Sequence, residues 1–477
     1  MTIRTTSFMC LMATGLTVPA LAGGSTLTVP TDFPTIQVAI LAAGNGDTID
    51  VMPGTYFESL DFGGKDLTLR GVGGSASTMI SGATVFRPME FDQSEVVTVE
   101  GFTLLDGLAT GDGGAVRIVN STITFNDVVF QDNHAGLNGG AINMADAITT
   151  FTACRFANNT CAGGRGGAVN ADNSRMTFEN CDFEANICET LTGGAIQSDD
   201  SQLTITESVF SGNIAFLDGG AIEFLNSFNG NSAAFPNTVT NSVFVGNLSN
   251  GTSGLQRGGA IFTLNGARPT LTQCLFVDNV ATDEGGALWL LTNEFTAIRQ
   301  CTFYNNAANV GGAIFSAGIN GYVCVNSIFR ENEASGVPND IVGPGSATYC
   351  VLSIPFAGTG NIDADPLFVD ALNGNFRLTS GSPAIDAGNT PIVPFDLSAD
   401  PDGNIRVVAA SNDAADTLAG VKAWGLGVDV GIYEFQPEDI GIDSCPSDIT
   451  PPGGNGIVNI DDLLKVINDF GACPPAS

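Results

Sequence analysis

Four aspartates carry the first chemistry that the sequence offers. Asp146, Asp172 and Asp199 recur at steps of 26 and 27 residues, and Asp200 adjoins the last. If those steps are turns of a solenoid, the carboxylates stack about 5 Å apart, close enough to share a calcium ion or to divide acid and nucleophile roles in glycoside cleavage. Asp172, Asp199 and Asp200 are then the catalytic candidates. A polysaccharide lyase also wants a basic side chain beside them, and Arg155, Arg165 and Arg175 fall in other columns. The single histidine, His134, follows a turn and has no partner within the repeat. The alternative is that these Asx residues end strands and stay hydrated.

A second set is aromatic. Phe262, Trp289 and Phe315 hold one place in three successive units, where outward rings could stack on sugar or on a partner protein. Insertions near 226–236 and 248–256 could wall a groove beside them. A segment returning after residue 366 could instead cover them, since exposed apolar stripes are uncommon.

Both sets depend on the unit that positions them. Gly-Gly-Ala plus an aliphatic residue begins at Gly113, Gly139, Gly166, Gly193, Gly219, Gly258, Gly285 and Gly311. Each copy is followed by Phe-x-x-Asn, at Phe130, Phe156, Phe183, Phe210, Phe244, Phe276, Phe303 and Phe329. A period of this size, with short β-branched and aromatic runs, predicts a parallel β-helix with one coil per repeat. The phenylalanines should form an interior ladder. The asparagines three residues on (Asn133, Asn159, Asn186, Asn213, Asn247, Asn279, Asn306, Asn332) should turn the chain and bond from coil to coil. If the aliphatic residue points inward, the next points out. That outward column reads Arg117, Asn143, Asn170, Gln197, Glu223, Phe262, Trp289, Phe315. Residues 31–43 place Ile36, Ala39, Ile40 and Ala43 on one helical face, with Asp32 as the expected cap, and predict a helix closing the first coil.

Bulk composition narrows the partners. The 477-residue chain has 60 glycines, is only 14% charged, and carries 16 basic against 50 acidic residues for a net charge of −34. Such a surface repels nucleic acid and anionic membranes. Arg4, the apolar run FMCLMATGLTVPALA and the small residues Ala20-Leu21-Ala22 read as a secretory leader over 1–22. Export, to the cell surface, the medium or a periplasm, is the expectation, with no membrane insertion after cleavage.

The Gly-Gly-Ala-Ile and Phe-x-x-Asn units resemble the repeats of polymorphic outer-membrane proteins, secreted β-helical adhesins. VPTDFPTIQVAILAAGNGDTIDVMPGTYFE resembles the N-terminal cap of pectate-lyase-like proteins, and NIDADPLFVDALNGNFRLTSGSPAIDAGN with VDVGIYEF resembles the end of secreted right-handed β-helix proteins. No alternating barrel strands follow residue 436, unlike the outer-membrane adhesins. The tail instead resembles one dockerin or EF-hand half. The resemblance implies calcium held by Asp448, Asn455, Ile457 (through its carbonyl), Asn459 and Asp462, although Pro451 and Gly453 fall where side-chain ligands are expected. The other reading of the tail is a metal-free helical plug pinned by Cys445 and Cys473.

Beyond Cys10, the ten cysteines fall into pairs one repeat apart: 154/181, 161/188, 274/301, 324/350 and 445/473. Export favours disulfides, with Cys445–Cys473 expected, while parallel in-register strands give poor bridging torsions and leave buried thiols as the alternative for the others. The expected protein is all-β: a right-handed parallel β-helix of about a dozen coils over 23–437, with an N-terminal capping helix and a small C-terminal helical module after a linker, at 438–477. Its expected role is non-catalytic binding of extracellular polysaccharide or a surface protein, as a monomer; the alternative is a calcium-using, pectate-lyase-like enzyme.

Overall fold

Repeated phenylalanines set the core. The computed structural model describes residues 24–226, 237–291, 295–319, 321–389, 400–402 and 428–435. The leader at 1–22 and the C-terminal module, with Cys445, Cys473, Asp448, Asn455, Ile457, Asn459 and Asp462, lie outside the described residues. Within them the chain winds into a parallel β-solenoid of about eleven coils, with one 24-stranded sheet, one of eleven strands and one of ten. The Phe130 ring stacks on Phe156 at 4.7 Å, and the column continues through Phe183, Phe210, Phe244, Phe276 and Phe303 to Phe329. A second stack, Phe125, Phe151 and Phe178, meets the first edge-on.

The asparagine ladder is continuous and buried. Asn159 Nδ2 donates to Asn186 Oδ1 at 2.9 Å, and the same bond recurs at every step from Asn133 to Asn332. Asp340 ends the column by accepting from Asn332 Nδ2. One expectation is corrected: the left-handed turn residue is the one before the ladder Asn, such as Asp132, Asn158 and Asp278. Position for position, the ladder amide serves as glue, and its exposed neighbour bends the chain.

The glycine pair has two different causes. The first glycine sits at φ of +64 to +71°, a conformation that costs other residues. The second packs against the next coil, and a Cβ on Gly194 would lie 2.0 Å from the Gly220 carbonyl oxygen.

Helix α1 (Ile36–Ala42) is shorter than the sequence suggests, and its N-cap is Thr35, whose hydroxyl accepts from Val38 N. Asp32 misses the capping position because its carboxylate accepts from Thr28 N instead. Glu58 serves the helix end, accepting from Ile36 and Gln37 N. The helix buries Ile36, Ala39 and Ile40 beside the first coil.

Among the described residues, eight cysteines are buried free thiols. Cys161 and Cys188 are directly in register. Cys324 is not the register mate of Cys350: it faces Ala347, because this coil is only 23 residues long, and the two sulfurs lie 3.9 Å apart.

Candidate functional site

Register brings two of the predicted carboxylates together. Asp172 ends the strand Val169–Asp172, Asp199 ends Ile196–Asp199, and they are directly paired. Asp146 and Asp200 occupy the following left-handed turn, two coils apart, with Asn173 between them. Asn173 Nδ2 donates to Asp146 Oδ1. Partial burial, then the charges of Asp199, Asp200 and Asp146, push the Asp172 carboxyl above its ordinary value.

The quartet is divided, however. Asp200 lines a shallow surface depression with Ser201, Asn237 and Arg268, which neither Asp172 nor Asp199 lines. Arg155 pairs with Glu184, Arg165 faces Glu223, and Arg175 donates to Gln202. Among the described residues, no group of three or more His, Cys, Asp and Glu has metal-holding geometry. His134 lies half-buried between Leu108 and Thr160.

The outward column is in register throughout, from Arg117 through Asn143, Asn170, Gln197 and Glu223 to Phe262, Trp289 and Phe315. Asn170 Nδ2 donates to Asn143 Oδ1 at 2.8 Å. Phe262 and Trp289 stack at 4.6 Å, and Phe315 follows at 6.4 Å. Their faces are not open: Phe262 is 1% exposed and Trp289 4%.

The insertion near 226–236 lies almost wholly outside the described residues, and neither of the other two expected neighbours behaves as the sequence suggests. The insertion at 248–256 leads into Arg257, whose guanidinium lies 4.7 Å from the Phe262 centroid and 4.4 Å from that of Trp289. Asp218 holds Arg257 through two bonds of 2.8 and 3.0 Å, and Trp289 Nε1 donates to Glu284. The segment after 366 covers a different face, setting Phe376 and Ile432 against Leu275 and Tyr304 on the 24-stranded sheet. Arginine suits the ring column because its plane covers aromatic area while its edges keep polar partners.

Glu223 sits where the polar and aromatic halves of this column meet. It accepts from the Thr192 hydroxyl, and Arg165 Nη1 is 3.8 Å away. Burial raises its carboxyl to about 7, with Arg165 opposing. Between about pH 4.5 and 7 the folded chain therefore keeps a proton that the unfolded chain has released. Stability must fall as pH rises through that window. Urea titrations at pH 5 and pH 8 should differ by about 1–3 kcal/mol from this group, and Glu223→Gln should flatten that difference. The same dependence in the variant would remove Glu223 as its source.

Residues 90–256 match the right handed beta helix region family, and residues 300–317 match the Chlamydia polymorphic membrane protein repeat. The solenoid is a right-handed β-helix. No curated protein matches the chain in sequence. Solved structures similar to it include pectate lyase Pel9A, at 12% identity over 87% of this chain and 98% of that one, with a TM-score of 0.39. The PL6 family alginate lyase AlyGC is 15% identical over 75% of this chain and 56% of that one, with a TM-score of 0.41. Pectin methylesterase PemA from Erwinia chrysanthemi is 13% identical over 47% and 80%, with a TM-score of 0.31. Among the described residues, no helix is long and apolar enough to cross a membrane.

Proposed function

We propose that this β-helix is an exported, non-catalytic scaffold that binds extracellular polysaccharide or a surface protein. The observation that carries this reading is how the outward column spends its reactive groups. Glu223 is occupied by Thr192 and Arg165, and Arg257 is fixed on Asp218 and over two rings. These contacts make a stiff wall rather than a cleft that opens onto acid and base.

The second reading is a calcium-using enzyme acting on uronate polymers, and the in-register pair Asp172 and Asp199 favours it. A turnover assay on polygalacturonate and alginate with added calcium separates the two. No product is expected from the full chain. Product formation abolished by Asp199→Ala would instead make the protein an enzyme. The tail keeps its own proposal: calcium at Asp448, Asn455, Ile457, Asn459 and Asp462, serving attachment.

A further inference from the structure

One outward column of the 24-stranded sheet is threonine in every coil for ten coils. Thr26 pairs with Thr48, then Thr68, Thr98, Thr124, Thr150, Thr177, Thr204, Thr238 and Thr270 follow, each the direct register partner of the last. Thr26 is exposed and the other nine are half-buried, as side chains in the middle of an open sheet face should be. None of the ten hydroxyls is engaged by another group among the described residues. Beside the ladder and on the same face, Thr272 is only 7% exposed, and its hydroxyl likewise has no partner among them.

Strand propensity does not account for this column. Threonine suits any outward strand position, yet the column two residues along the same strands reads Thr28, Asp50, Arg70, Glu100, Asn126, Thr152, Glu179, Thr206, Thr240 and Thr272. Backbone preference acts on both columns alike. Only one is uniform.

We infer that the threonine ladder is a docking track for a neutral, extended polysaccharide lying along the solenoid axis. The inference rests on the binding role proposed above and names its site and ligand class. Ten rungs, nine interstrand spacings apart from end to end, run about 43 Å. A monosaccharide would touch two or three of them, so only a ligand that is itself periodic uses the whole row. Each threonine supplies a hydroxyl that both donates and accepts, which suits sugar hydroxyls, and a methyl for the apolar face of a ring. Charge selects neutrality: a chain at −34 repels polyanions. The flanking column is itself net acidic, with Arg70 at 2.8 Å from Asp50 and 3.9 Å from Glu100 and Glu179 farther along. An ice surface is the other periodic partner, but the charged, unequal flanking column fits it poorly.

The test uses the full chain on three insoluble neutral polysaccharides, regenerated cellulose, chitin and β-1,3-glucan, with ice-recrystallisation and thermal-hysteresis assays alongside. Thr→Val is the substitution of choice because it keeps the branched shape and removes only the hydroxyl. Retention on at least one polysaccharide is expected. It should fall at least tenfold when Thr124, Thr150, Thr177, Thr204 and Thr238 all become Val, fall less than threefold for Thr177→Val alone, and survive Asp172→Asn with Asp199→Asn. Unchanged retention in the fivefold Val variant would overturn the ladder and leave the scaffold reading standing. Absence of retention by the wild type on all three overturns the polysaccharide arm of both. Ice activity lost in the Val variant would assign the ladder to ice instead.

Discussion

Gly194→Ala is expected to open the middle of the solenoid. Its new Cβ would lie 2.0 Å from the Gly220 carbonyl oxygen and 2.7 Å from the Ile214 backbone. Those atoms belong to neighbouring coils whose own bonds fix them, so relief means separating coils. The cost should be about 3 kcal/mol or more. In a repeat array stability is shared between nearest neighbours, so the damage should be local. Amide exchange should accelerate most around Ile187, Ile214 and Leu248, while the coils before residue 100 keep their protection. Gly212→Ala is the control. Gly212, unlike Gly194, has positive φ, but nothing lies within 4 Å of its added Cβ, and Ala185 already takes that conformation on the preceding coil. It should cost only about 1 kcal/mol. Equal losses in the two variants would mean that the coil-to-coil collision costs no more than φ strain at an open turn, and does not dictate the second glycine.

That contrast also explains which features could be read in the sequence. Residues whose role repeats identically in each coil announce themselves, so the glycine pair, the Phe130–Phe329 column and the amide ladder were legible. So was the pairing of Asp172 with Asp199, because it needs only the repeat length. The cover over Phe262 and Trp289 was not legible, since it comes from a single arginine in a loop of irregular length. Glu223 was visible in the column, but its burial depends on Thr192 and Arg165 in loops before the glycine pairs. Cys324 breaks the repeat reading because its coil advances 23 residues where the one before it advances 26. The threonine ladder was present as a constant Thr six residues before each ladder Phe from Phe130 to Phe276. Threonine in a strand looks ordinary until nine register pairs put ten of them on one line.

Asn186→Ala should be nearly as damaging as the glycine change, for a different reason. Asn186 Oδ1 accepts from Asn159 N at 3.1 Å and from Asn159 Nδ2 at 2.9 Å. Its own Nδ2 donates to the Phe156 carbonyl and to Asn213 Oδ1, both at 2.9 Å. All of this is at zero exposure, so water cannot replace what is lost. The substitution strands the Asn159 N–H and weakens two acceptors, at about 2–5 kcal/mol in total. Slow-exchange protection of the Asn159 amide should collapse before global unfolding does. Asn186→Asp sharpens the argument, because it keeps an acceptor toward Asn159 and turns a second oxygen on Phe156 O and Asn213 Oδ1. At neutral pH it should be no more stable than the alanine variant, since a buried carboxylate faces two acceptors. Burial raises that carboxyl, so stability should recover as acid protonates it and restores a donor. An Asp variant as stable as wild type at pH 7 would show that the ladder needs only acceptors, and that the amide's donating half holds no coil to the next.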